Sequence, residues 1–282
     1  MPKKQQSTAT LPPLPREHGA WAMFLVPLVI GLGVGVNRNV LNNSASTGMW
    51  ILLLWLTALG VFLLRHALML LLKAHDDKAQ GDAIYWSGIY GAIALVGGLG
   101  LLIMTQLWGL AIFGALGGAA LILYLRLVSQ RQEQSVIGEW TAIVGVALSA
   151  PSAYITITQS FDVTAGLLYV LNVLFFGGTV YYIKYKVREQ SKVTTAVSDR
   201  WTRLRAARAP ILYTIVVAII GAVLMFVSWL PWLGWVALLV PLPKVFIGAL
   251  ERPTHVNIQR LGLIEVAHSI VFASLVLWAW RY

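Results

Sequence analysis

Nine apolar runs decide what solvent this chain folds in. They fall at about residues 20–36, 49–72, 83–104, 107–127, 138–159, 163–183, 210–229, 232–250 and 260–280, each close to the ~20 residues that carry a helix across a bilayer. Backbone polar groups inside lipid must be satisfied within the segment, so these runs are expected to be helices. The fold class that follows is all-α: a polytopic transmembrane bundle of about nine spans. Residues 20–282 form one membrane domain, preceded by a disordered cytoplasmic arm over 1–19. With 58% hydrophobic and 11% charged residues, the chain departs from soluble globular composition. It has no cysteine, which removes disulfides, thiolate metal sites and cysteine catalysis. No small-residue cleavage site follows the first run closely, so it is expected to stay as an anchor.

The net charge of +10 does not point to nucleic acid, because the basic residues sit between apolar runs. They act as orientation signals. On the nine-span map, all of the 21 Lys and Arg except Arg38 and Arg281 fall on one side. Cytoplasmic connections collect such residues, so the N-terminus is expected in the cytoplasm and the C-terminus outside a bacterial inner membrane. Polar cytoplasmic loops are expected at 73–82 and 184–209. Pro241 and Pro243 remove backbone donors within the eighth run, which predicts a kink there or an early end before Lys244. The second and sixth runs both end in charged extensions, KAHDDKAQGD and KYKVREQSKV, a spacing that suits two four-helix units plus one helix.

Arg65 and His66 lie inside the second run. Along a helix Arg65 is roughly 12 Å from Lys73, and a charge at such depth costs ~2.5 kcal/mol or more unless it faces protein or water. A cytoplasm-facing polar cavity is therefore expected. Arg65 and Asp76, eleven apart, share one helix face, and His66 and Lys73, seven apart, share the adjacent stripe. Glu17 and His18 precede the first span as candidates for a pocket mouth. Glu139 opens the fifth span, where a carboxylate suits the helix dipole with or without a ligand. Tyr182, Lys184 and Lys186 stand where the sixth helix meets the cytoplasm, and Lys244 follows the eighth-span prolines. Glu265 and His268, three apart in the last span, are deep enough to be functional, with Glu265 the preferred partner of Arg65. Asp76 and Asp77 are weak candidates for holding Mg²⁺ with phosphate. No HExxH, GxSxG or P-loop pattern occurs, and the five histidines lack metal-ligand spacing.

LPPLPREHGAWAMFLVPL at residues 11–28 and PLPKVFIGALERPTHVNIQRLGLIEVAHS at 241–269 resemble the YwiC-like family of bacterial membrane proteins, a resemblance that brings no activity with it. The nine-span plan with loaded ends after the second and sixth spans also looks like UbiA-type prenyltransferases. Those enzymes bind prenyl diphosphate through Mg²⁺ held by an Asn-Asp-x-x-Asp-x-x-x-Asp motif, with an Arg upstream. If Arg65 takes the place of that Arg, Leu72, Lys73, Asp76 and Gln80 take the motif positions, so one carboxylate is kept. In the sixth span Tyr182 and Glu189 stand at two Asp positions. Lys73 would repel Mg²⁺ yet can hold phosphate oxygens. The expectation is an anionic isoprenoid or lipid phosphate gripped by direct basic contacts, with Mg²⁺ disfavoured and any enzyme activity prenyltransferase-like. The alternatives are a small-solute transporter using Arg65, Glu265 and His268 as intramembrane charges, or a structural partner of a membrane complex.

Overall fold

The computed structural model describes residues 11–15, 18–38, 45–189, 200–251 and 257–281. Most of the arm expected over 1–19, and the middle of the connection expected over 184–209, lie outside the described residues. Twelve α-helices follow in order: α1 (His18–Arg38), α2 (Ala45–Lys73), α3 (Asp77–Thr105), α4 (Leu110–Ser129), α5 (Val136–Ala147), α6 (Ser149–Thr158), α7 (Val163–Lys184), α8 (Arg200–Ala206), α9 (Arg208–Phe226), α10 (Trp232–Leu239), α11 (Leu242–Leu250) and α12 (Ile258–Ala279). Among the described residues they make nine helical segments long and apolar enough to cross a membrane. α5 with α6, and α10 with α11, are single spans broken in the middle.

Both breaks have a proline behind them. Pro151 cannot donate to the Ala147 carbonyl and its ring crowds that group, and the helix is interrupted at Leu148. Pro241 and Pro243 interrupt the other span after Leu239, so the kink expected there is present, while the helix continues past Lys244 to Leu250. Two expected loops are shorter than the sequence implied. α3 already begins at Asp77, because Asp76 caps it by accepting from the Ala79 amide at 2.6 Å. α7 runs through Lys184 and goes on as a π-helical turn over Tyr185–Glu189, so Lys184 and Lys186 stand on helix.

In lipid there is little hydrophobic drive between helices, and close packing holds the bundle together. Large apolar side chains accordingly face outward, such as Leu95, Ile122 and Phe226. The interior is organised around α1, whose Leu28, Ile30 and Val34 have no exposed surface. Ala150, Ala153 and Ile155 of α6, Leu168 and Leu171 of α7, and Phe272 and Val276 of α12 pack into the same core. Gly31 sets how closely α1 and α6 approach: a Cβ there would collide with the Ala150 carbonyl oxygen and come within 2.8 Å of the Ala153 Cβ. Gly31→Ala is therefore expected to destabilise by about 1–3 kcal/mol, read as a lower midpoint of thermal unfolding in detergent. An unchanged midpoint would mean that the two helices are not held at this distance.

Candidate functional site

A cavity of about 330 Å³ lies between α2, α4 and the α5–α6 span, with Phe24 of α1 and Gly98 of α3 in its walls. It is long: the α2 residues along it run from Leu54 to Arg65, roughly 16 Å at 1.5 Å per residue. Arg65 and Tyr124 mark one end, about two turns inside the end of α2 at Lys73 and over one turn inside the end of α4 at Ser129, and Leu102 and Leu110 border the other. Val61, Ala111 and Gly114 are lining residues that are also exposed on the outside of the bundle. The cavity thus opens sideways, within the spans.

Hydroxyl groups in the walls are already used. Thr57, Thr141 and Ser152 each donate to the carbonyl four residues back, and Ser149 to Val146, all at 2.8 Å. The surface they leave is apolar in effect. Arg65 is the one charged residue in the lining among the described residues. Its Nε is buried and lacks a hydrogen-bond partner, and none of the ion pairs among the described residues includes it. Aromatic faces are what it has. Its guanidinium carbon lies 4.9 Å from the Tyr124 ring centroid and 6.0 Å from that of Phe62. Cation–π contacts return about 0.5–2 kcal/mol, less than the ~2.5–3.5 kcal/mol that a cation at membrane depth costs. An anion entering the cavity would close that gap.

The partner expected for Arg65 is elsewhere. Glu265 on α12 accepts from Lys244 through both carboxylate oxygens, each at 2.6 Å, and from the Thr179 hydroxyl at 2.9 Å. The proposed Arg65–Glu265 pair is therefore corrected to Lys244–Glu265, because the break at Pro241 turns Lys244 inward instead of ending the helix. Both members are nearly devoid of exposed surface. Two ammonium groups lie near the Tyr182 ring, with Lys244 at 5.1 Å and Lys186 at 5.9 Å from its centroid. Lys186 also donates to Glu251 at 3.1 Å, and the Tyr185 hydroxyl donates to the Gly248 carbonyl at 3.0 Å. Gly248 permits this approach, since a Cβ would stand 2.9 Å from the Tyr182 oxygen. His268 does not join Glu265; its Nδ1 is 2.7 Å from the Ile264 carbonyl oxygen, the geometry of an N–H donor within the helix. At the centre of this cluster Lys244 and Glu265 are buried and satisfy one another, while Glu251 is exposed at its edge.

Lys73 and Lys184, expected near one anion site, are both engaged by the turn between α4 and α5. Lys73 donates to Glu133 at 2.6 Å, and Lys184 donates to the Gln134 carbonyl at 2.7 Å and to Glu139 at 2.6 Å. The Lys73 hydrogen bond holds the Glu133 carboxyl below the usual carboxylate range. Glu133 and Gln134 carried no sequence signal beyond being polar residues in a loop. Asp76 is occupied as a cap, and Asp77 is exposed in the first turn of α3. Among the described residues no three His, Asp or Glu side chains are grouped to hold a metal ion. His66 is partly buried on α2 and absent from the cavity lining. Glu17 lies outside the described residues, as does the side chain of His18, whose backbone opens α1.

Comparison with known proteins bears on the first half of the chain most directly. A curated relative, described as an uncharacterized protein of Haemophilus influenzae, is 24% identical over 268 residues, covering 93% of this chain and 96% of the relative. No solved structure matches. A family model described as YwiC-like protein matches residues 14–154, half of the chain, and every residue lining the Arg65 cavity falls inside that stretch. The chain is a multi-span membrane protein that belongs to the YwiC-like family.

Proposed function

We propose that this protein binds an anionic amphiphile, an isoprenoid or lipid phosphate, with its charged group at Arg65 and its hydrocarbon in the adjoining cavity. The observation that carries this is the unpartnered Nε of Arg65 at one end of an otherwise apolar cavity. A partly buried guanidinium whose Nε is buried without a partner suits a phosphate or carboxylate, which can take a two-pronged charge-assisted contact. A polar solute is less well served, because the wall hydroxyls are spent on their own helices. The sideways opening suits a ligand that arrives from the bilayer.

Arg65, rather than Lys73, then supplies the contact, since Lys73 is tied to Glu133 outside the cavity. Mg²⁺ is not needed for such a grip. Dodecyl phosphate titrated into purified protein in zwitterionic nanodiscs should bind equally with and without a chelator of divalent ions. Binding that vanished in chelator and returned with Mg²⁺ would overturn the direct contact.

The orientation proposed from the charge distribution places Arg65 at the cytoplasmic end of its cavity. Reporter fusions at Gln80 and after Tyr282 should report opposite sides of a bacterial inner membrane. The same side for both would break the nine-span alternation.

A further inference from the structure

On that reading of the cavity, we infer that the ligand carries a single hydrocarbon chain, and that Gly114 and Gly118 of α4 keep the chain's channel open. Volume comes first. At about 330 Å³ the cavity lies at the small end of the roughly 300–1,000 Å³ that ligand pockets span. That is room for one chain or part of one.

The shape agrees with the volume. Leu110, Gly114, Gly117, Leu121 and Tyr124 recur every three or four residues on α4 and all line the cavity, which makes them one helix face. This row is large at its ends and bare at Gly114 and Gly117, with Phe113, Gly118 and Ala120 beside it in the lining. A Cβ added at Gly114 or Gly118 would meet nothing within 4 Å, and one at Gly117 would only touch a Leu148 methyl at 3.9 Å. These glycines therefore do not serve close helix packing, in contrast to Gly31. What their lack of side chains provides is the channel itself, leading from Arg65 towards Leu102 and Leu110.

Filling the channel while sparing Arg65 tests this. Leucine at Gly114 or Gly118 starts from a Cβ that meets nothing within 4 Å. Gly166 of α7, also open but on a lipid-facing side away from the cavity, supplies the control for adding leucine to a span. Equilibrium binding of radiolabelled dodecyl phosphate would be measured in zwitterionic nanodiscs, with unlabelled dipalmitoyl phosphatidic acid as competitor. Gly114→Leu and Gly118→Leu should each weaken dodecyl phosphate binding at least tenfold, Gly166→Leu should leave it unchanged, and phosphatidic acid should compete at least tenfold less well than unlabelled dodecyl phosphate. If both cavity variants bind normally while Arg65→Met does not, the chain lies elsewhere and the channel is refuted with the Arg65 site intact. Phosphatidic acid competing equally well would refute the single-chain claim. If Arg65→Met also binds normally, the anion site itself is lost.

Discussion

Glu265→Leu alone is expected to cost about 3–5 kcal/mol of stability, one of the two largest effects foreseen for this protein. The reason is what it strands. Lys244 would keep its ammonium in a site with almost no exposed surface, without the two 2.6 Å hydrogen bonds that now satisfy it, and breaking a buried pair from one side costs this much. Lys244→Met should destabilise comparably, by leaving the carboxylate with only the Thr179 hydroxyl. The double variant should recover most of the loss, since a buried ion pair replaced by apolar groups of similar size is often neutral or better. Unfolding of the two single variants and the double in matched detergent checks this. Losses that simply add would mean the two side chains are not coupled.

Arg65→Met should do the opposite to stability while removing binding. The substitution gives up aromatic contacts worth about 0.5–2 kcal/mol but relieves an unpartnered cation that costs ~2.5–3.5 kcal/mol at membrane depth. The ligand-free variant should therefore unfold at the same temperature as the native chain or higher. Affinity for dodecyl phosphate should fall about tenfold to a hundredfold or more, because hydrogen bonds to a charged group contribute about 1.5–3 kcal/mol. Arg65→Lys should lie between, keeping the charge but not the planar fork. A variant that lost stability and kept affinity would make Arg65 a structural residue. Function bought with stability is a familiar trade at binding sites, and the contrast with Lys244 and Glu265 separates the two kinds of intramembrane charge.

Much of the architecture was legible because lipid imposes it. The nine runs, the kink at Pro241 and the depth of Arg65 follow from length, proline chemistry and the cost of a buried charge. Pairing was not legible. Lys244 was hard to place because the prolines made the fate of its helix ambiguous, so Glu265 was matched with the wrong cation. The cavity was half visible: Arg65 called for a polar cavity facing the cytoplasm, whereas the one it borders is apolar apart from Arg65 because the wall hydroxyls bond to their own helices, and nothing in the order of residues said that Tyr124 would cover its guanidinium. Nor does a glycine on a membrane helix announce whether it serves a close contact, as Gly31 does, or an open space, as Gly114 does. Lys73 and Lys184 were read as free donors because their partners, Glu133, Gln134 and Glu139, become neighbours only when α4 and α5 turn back between α2 and α7.

The claim at the centre of this account is where the ligand sits, and an experimental structure of the protein with dodecyl phosphate in nanodiscs tests it most directly. The predicted density places phosphate oxygens within hydrogen-bond distance of the Arg65 guanidinium, about 2.7–2.9 Å, with the chain running past Gly118 and Gly114 towards Leu110. Phosphate density beside Lys244 or Lys73, with the Arg65 cavity empty or filled by ordered water, would contradict it.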